Sequence, residues 1–350
     1  MSDRVLVTGA SGFIAKHVIS SLLGEGWRVR GTVRSLARRG EVEAAIKRAR
    51  ADVDAGALEL VEADLRRDKD WGAACEGCRY VMHMASPFPS AEPRDPAELI
   101  RPAQDGTRRV IQAAARAGVE RVVMTSSIIA IMHAAKPGHL VRTEEDWSDP
   151  DCSEISSYGR SKTLAERAAW DLIDTLGQAG GEAGGGHVPA LAVVNPGVVF
   201  GPALDNDLST SHVILKLMGR GSYPALPKIG FPVVDVRDVA AVHLTAMTHE
   251  RAAGERFLCC DETLRLVEIG EALVAALPDL KRKVPTLQLP SGLVRFASHF
   301  DRNLKSIRGD LDQPNLCDTS KVREQLGATF RPAREAVTSA ALSLRELGVI

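Results

Sequence analysis

A glycine-containing turn within the first fifteen residues constrains this chain more than any other feature. Thr8-Gly9-Ala10-Ser11-Gly12-Phe13-Ile14-Ala15 follows the short apolar run Val5-Leu6-Val7 and opens a segment, Ile14 to Leu23, with helical periodicity. Gly9-x-x-Gly12-x-x-Ala15 acquires its meaning from that strand-turn-helix context, since a bare glycine spacing also serves ordinary turns. Gly9 permits the tight turn, Gly12 lets backbone amides approach a pyrophosphate, and Ala15 lets the helix pack closely on the strand. The helix N-terminus adds N–H donors and the positive end of a dipole. A dinucleotide phosphate cradle is therefore expected here.

The rest of the first half repeats the alternation. Strands are predicted at Trp27 to Val33, Leu58 to Glu62, Tyr80 to Met84, Val119 to Thr125 and Ala190 to Val194. Helices are predicted at Glu41 to Ala51, Glu98 to Ala117 and Ser161 to Leu176. Such alternation implies an α/β fold, a Rossmann-type doubly wound parallel sheet with helices on both faces. The near-continuous apolar runs Val5-Leu6-Val7 and Leu191-Ala192-Val193-Val194 fit strands covered on both sides. Gly177 to Gly186 reads as a solvated loop between helix and strand. After Gly201-Pro202 the alternation degrades and prolines punctuate short elements. Residues 1–200, with a return of the chain at about 233–250, are read as the nucleotide unit. Residues 201–232 and 251–350 are read as a smaller, interleaved C-terminal substrate-binding portion.

The second predicted strand ends Thr32-Val33-Arg34. NAD-binding folds place an acid near this strand end, about 20 residues past the glycines, to hold the adenosine ribose hydroxyls. Here the position carries Arg34, with Arg38 and Arg39 behind it. A guanidinium can pair with a 2′-phosphate and stack on adenine. NADP(H) is the expected cofactor.

Tyr158-Gly159-Arg160-Ser161-Lys162 places a phenol and an ammonium at i and i+4, on one helix face. Hydride delivered to a carbonyl carbon leaves an alkoxide that must be protonated. A phenol, with a reference pKa of about 10, needs a nearby cation to act in both directions near neutrality. Lys162 would supply that cation and hold the nicotinamide ribose. Ser127, just past the strand ending in Thr125, could donate to the carbonyl oxygen. Ser126 competes with it for that role.

With these residues quoted, the chain resembles the extended short-chain dehydrogenase/reductase family. Within it, the dihydroflavonol reductase-like and carbonyl (aldehyde/ketone) reductase branch is most similar. The matching segments are Thr8 to Ala15, Thr32-Val33-Arg34, Ala63-Asp64-Leu65, His83 to Pro87, Thr125-Ser126-Ser127, Tyr158 to Lys162, Asn195 to Pro202 and Val234 to Ala240. The resemblance implies cofactor contacts at Thr8, Gly9, Ser11, Gly12, Phe13, Ile14, Thr125 and Ser126, besides Tyr158 and Lys162. It implies adenine contacts at Asp64 and Leu65, and an adenosine and pyrophosphate path along Ala85, Ser86 and Pro87. Pro196, Gly197 and Val199 would cover the carboxamide, Ser211 would lie near the phosphates, and Asp235 to Val239 would tie the two portions together. Two departures matter. Ile128-Ile129-Ala130-Ile131 is more apolar than usual after the serine, which suggests an apolar pocket wall. Ser35-Leu36-Ala37-Arg38 replaces the branch's common continuation after the arginine.

Composition narrows the remaining classes. Lys plus Arg total 44 against 45 Asp plus Glu, so the net charge of -1 argues against nucleic acid as a partner. An aromatic content of 4% argues against a stacking surface for single strands. No apolar run approaches the roughly 18 residues of a membrane helix, and the N-terminal run is too short for a signal peptide. A cytoplasmic monomer or homodimer acting on a small carbonyl or alcohol is expected, with no metal. Six cysteines make no disulfide framework, and Cys75-x-x-Cys78 and Cys259-Cys260 read as packing residues. A nucleotide-sugar epimerase or dehydratase, a hydroxysteroid dehydrogenase and a non-catalytic NADP-binding regulator stand as alternatives.

Overall fold

The computed structural model describes residues 4–52, 54–87, 93, 95–133, 141–182, 187–301, 304–305 and 307–350. Seven strands form one sheet: β1 (Arg4–Val7), β2 (Arg28–Val33), β3 (Leu58–Glu62), β4 (Tyr80–His83), β5 (Arg121–Thr125), β7 (Ala190–Pro196) and β10 (Glu255–Cys259). Their spatial order is β10-β7-β5-β4-β1-β2-β3, and every neighbouring pair is parallel.

Alternate side chains divide this sheet between two cores. Val5 and Val7 pack with α1 (Phe13–Gly24), α2 (Arg39–Ala49) and α8 (Val236–Thr248) on one face. Leu6, Val81, Val122 and Leu191 pack on the other, with α3 (Trp71–Cys75), α4 (Ala97–Arg116) and α6 (Ser157–Glu182). Both faces are covered, which is why these strands read as unbroken apolar runs. The order reverses between β1 and β4. In open parallel sheets the ligand crevice lies there, outside the carboxyl ends of the strands.

A smaller sheet has the order β11-β9-β8, from β8 (Val198–Phe200), β9 (Gly230–Asp235) and β11 (Glu262–Arg265). It has its own core, with α7 (Thr210–Gly219), α9 (Leu266–Ala276) and the helix Ala333–Glu346. A two-stranded ladder joins β6 (Val141–Arg142) to β12 (Leu316–Cys317).

The chain crosses between the two portions more often than the sequence reading allows. β8 lies within residues 1–200 yet belongs to the small sheet. β10 lies after residue 251 yet pairs with β7 in the large one. Val322 and Leu326, late in the chain, join the large core. Phe257, Leu258 and Cys259 are fully buried although β10 is an edge strand, because Phe257 and Cys259 pack into the large core and Leu258 packs against Ile128 and Ile131 on the other side. Asp235 caps α8 through Arg237 N at 2.8 Å, and Asp238 accepts from Arg331 N at 2.6 Å. Asp235 thus fixes the start of the return helix, and Asp238 ties that helix to the C-terminal segment.

α6 starts at Ser157 and runs through Gly177 to Glu182, where a loop is expected from the glycines. Glycine costs a helix only about 1 kcal/mol, so it does not dictate a stop. The remainder of that glycine stretch, 183–186, lies outside the described residues.

Candidate active site

The expected turn sits at the reversal point. Gly9 has φ +70°, and a Cβ there would stand 3.0 Å from Ala85 Cα. Glycine is thus required twice, by backbone conformation and by the approach of β4's end. Thr32 fixes the turn from β2, accepting from Gly9 N on its hydroxyl at 3.1 Å and from Ala10 N on its carbonyl at 2.8 Å. No side chain caps the N-terminus of α1, and no acid lies in its first turn. Those amides remain suited to an anion. Ser11, Phe13 and Ile14 are half-buried and Gly12 is exposed.

Thr8 is fully buried. Its hydroxyl accepts from Met84 N at 3.0 Å and Ala85 N at 2.9 Å. Its own proton therefore goes to His83 Nδ1, 3.1 Å away, and His83 Nε2–H donates to Thr107 at 3.3 Å. Burial pushes His83 down to about 3, which keeps it neutral. The Thr8 side chain is wholly used in locking β1 to β4. Ala85, Ser86 and Pro87 continue from that lock as half-buried residues along the crevice.

Arg34 is exposed. Among the described residues it makes no ion pair or hydrogen bond. The two arginines behind it are engaged: Arg38 with Glu41 at 2.9 Å and Asp207 at 2.7 Å, Arg39 with Glu43 at 3.7 Å. The basic cluster expected from sequence thus reduces to one available guanidinium. Asp64 is bound to Arg66 at 2.7 Å, which holds its carboxyl at about 2. Leu65 rests on Gly106, where a Cβ would come within 2.8 Å of it.

The catalytic candidates converge beyond β5. Tyr158 and Ser127 are hydrogen-bonded through their hydroxyls, and Ser127 also accepts from Ile129 N at 3.4 Å. Burial pushes the Tyr158 phenol up to about 12, with Ser127 opposing. The Lys162 ammonium donates to Thr125 O at 3.3 Å. Burial pulls Lys162 down to about 8, against the pull of Glu166. Lys162 also bears electrostatically on His83, so this cluster adjoins the Thr8 lock and the phosphate turn. Ser126 points elsewhere. Its hydroxyl donates to Glu166 in a buried network.

The segment after Ser127 departs from expectation. Ile128, Ala130 and Ile131 are buried, and Ile128 and Ile131 pack with Leu258 and Cys260. Only Ile129 is half-buried. Ile128 and Ile131 thus fill a core between α5 (Ile129–Met132) and β10, and of the four residues only Ile129 keeps an appreciable exposed portion.

Pro196 and Gly197 stand at the junction of the two sheets. Pro196 O accepts from Ile128 N at 2.9 Å and Gly197 N donates to Cys259 O at 3.0 Å. Val199 O accepts from the Ser211 hydroxyl at 2.5 Å, so Ser211 ties α7 to β8. Phe13 packs edge-on against His212 of α7 at 4.5 Å.

Sequence reasoning missed two sets of residues. Lys16, fully buried in α1, pairs with Asp205 at 2.5 Å, and Arg38 reaches Asp207 in the same loop. Glu166 and Arg256 form a buried pair behind Lys162. A signal existed for one of them: Tyr158, Lys162 and Glu166 recur at helical spacing on one face.

Three comparisons bear on this site. The sequence profile described as the NAD dependent epimerase/dehydratase family matches residues 5–260. Cinnamoyl-CoA reductase 1 of Petunia hybrida is 32% identical over 98% of this chain and 92% of its own length. The yeast methylglyoxal/isovaleraldehyde reductase Gre2, solved with NADPH, superposes with a TM-score of 0.78 at 25% identity, over 99% of this chain and 100% of that one. Gre2 of Candida albicans, also solved with NADPH, gives a TM-score of 0.75 at 28% identity, over 98% and 99%.

Proposed function

Because the chain belongs to the NAD dependent epimerase/dehydratase family, within the extended short-chain dehydrogenase/reductases, we propose that it is an NADPH-dependent reductase of ketone or aldehyde carbonyls. The observation that carries this reading is the Tyr158–Ser127 hydroxyl pair, with Lys162 one helical turn along and the Gly9 turn adjoining.

The residues fit a dinucleotide with a 2′-phosphate. The uncapped amides of α1 and the close Gly9–Ala85 approach suit a pyrophosphate. The free guanidinium of Arg34 suits the 2′-phosphate. An epimerase or dehydratase of the NAD type would want an acid at that strand end. When bound, NADPH supplies the hydride for the carbonyl carbon.

The chain's own residues handle the oxygen. Ser127 donates to the carbonyl oxygen and fixes it beside Tyr158. The Tyr158 hydroxyl, kept protonated by its burial, gives its proton to that oxygen as negative charge develops. The phenolate left behind is stabilised by the Lys162 ammonium and regains a proton from solvent. Oxidation of the alcohol uses the same groups in reverse.

Tyr158→Phe removes the transferable proton and leaves the cradle intact. NADPH oxidation with a carbonyl substrate should fall by at least about a hundredfold, the usual scale of acid–base catalysis, while NADPH fluorescence titration stays close to normal. Near-normal turnover in that variant would refute the assignment. The screen should span aromatic aldehydes, β-keto esters, diketones and dihydroflavonols.

A further inference from the structure

The face of α6 that carries Tyr158 and Lys162 bears one more ionisable residue, Glu166, one turn further on. Glu166 is fully buried. Its Oε1 accepts from Arg256 Nε at 2.5 Å. Its Oε2 accepts from Asn195 Nδ2 at 2.8 Å and from the Ser126 hydroxyl. The three donors come from β10, β7 and the end of β5, so the carboxylate is gripped from three strands of the large sheet.

Arg256 is immobilised in turn. It donates to the carbonyls of Glu144 at 2.7 Å and Asp146 at 2.9 Å, and its guanidinium lies 3.7 Å from the centre of the Trp147 ring. A buried ion pair of this kind is a poor source of stability, and well-packed apolar residues of similar size often do better. What the arrangement does supply is a fixed negative charge one turn behind the Lys162 ammonium.

Lys162 has few other charged neighbours. His83 on β4 and His243 on α8, which accepts from the Thr125 hydroxyl at 2.7 Å, are neutral, held by burial at about 3 and about 4. Tyr158 is protonated, and Glu144 on the loop after β6 is turned to Leu258 N at 2.8 Å. The field that favours the charged lysine is that of Glu166.

We propose that Glu166, clamped by Arg256, Asn195 and Ser126, is a positioning residue that keeps Lys162 charged and thereby keeps the Tyr158–Lys162 pair in its working protonation state. This rests on the reductase reading above. Carbonyl reduction needs both protons of that pair, and two interacting groups titrate as one unit. Removing a neighbouring negative charge makes the first proton leave at lower pH, whichever group loses it. Removing a neighbouring positive charge does the opposite.

The test is the pH profile of kcat for NADPH-dependent carbonyl reduction in Glu166→Gln and Arg256→Gln. A shift of about one pH unit, the low end for an opposite charge close by, is expected downward in Glu166→Gln. For a limb near pH 8 that is roughly a fivefold loss at pH 8 and less than a twofold loss at pH 6. In Arg256→Gln the limb should move upward. A kcat reduced by one factor at every pH in Glu166→Gln, or limbs moving the same way in both variants, overturns the proposal. Should Glu166→Gln not fold, Arg256→Gln decides alone, since a limb that stays or falls refutes the role. A wild-type protein that oxidises NADPH with no carbonyl compound would instead sink the reductase reading, and this inference with it.

Discussion

On the proposed reading, cofactor choice should depend on one side chain. Arg34 follows the last residue of β2, is exposed, and has no partner among the described residues. Arg38 and Arg39 are committed to Glu41, Asp207 and Glu43. Arg34→Ala therefore removes the one cation at this strand end that need not first break a bond. A charge-assisted hydrogen bond contributes about 1.5–3 kcal/mol. At roughly 1.4 kcal/mol per factor of ten, that is about a ten- to 150-fold loss of NADPH affinity. Solvent screens an exposed site, so the lower end, about ten- to thirtyfold, is the expected result. NADH has no 2′-phosphate and should change by no more than about twofold, as for an ordinary surface substitution. The assay is the KM for each cofactor at saturating carbonyl substrate, repeated at two salt concentrations. The NADPH value should rise with salt in the wild type and much less in the variant. Equal losses for the two cofactors would refute the reasoning. So would a large NADPH-specific loss in Arg38→Ala with none in Arg34→Ala, because it would mean that the Asp207 pairing yields readily to the phosphate.

Two further predictions follow from the same geometry. Gly9→Ala places a side chain at φ +70° and 3.0 Å from Ala85 Cα; it should cost about 1–3 kcal/mol in denaturant unfolding and weaken NADPH binding, and wild-type values in both measurements would contradict the site. Burial holds His17 and His243 at about 4 and His83 at about 3. The unfolded chain then takes up these protons first, so stability is complete above about pH 6.5 and is lost as the pH falls, by roughly 2 kcal/mol per group at pH 5. A thermal midpoint that is flat from pH 7 to pH 5 would show that these histidines are not buried neutral.

What the sequence discloses is local, and what it hides is long-range. Strand β3 matches its expected bounds at Leu58 and Glu62, where buried leucines alternate with exposed glutamates, and the run Val5-Leu6-Val7 forms the body of β1, where burial on both faces leaves an unbroken apolar stretch. Tyr158, Lys162 and the Gly9 turn are legible for the same reason: each is a short spacing on one element. Arg256 lies 90 positions from Glu166, and Asp205 lies 189 from Lys16. No periodicity links such pairs. The choice between Ser126 and Ser127 was open in the sequence and turns on Glu166, whose carboxylate draws Ser126 inward. That Ile128 and Ile131 turn into a core was hidden, because apolar character does not reveal direction. Leu258 and Cys260, which face them, lie in and just after β10, a strand whose place in the large sheet had no local signal.

The junction at Gly197 holds the two portions together at backbone distance. β7 belongs to the large sheet and β8 to the small one, and only Gly197 separates them. A Cβ at Gly197 would lie 2.3 Å from Pro232 O on β9. The small sheet is therefore drawn against the large one at backbone distance, beside the segment that carries Ser127, since Asn195 Nδ2 also donates to Ser127 O at 3.2 Å. Asn195 donates as well to Glu166. One residue thus connects the serine backbone, the buried carboxylate behind Lys162 and the strand that leads into the second sheet. A shift of the small sheet at this point disturbs that hydrogen-bonded corner. The turn Arg308–Asp310 is anchored away from this corner, with Arg308 3.7 Å from Glu154 and Asp310 3.7 Å from His133.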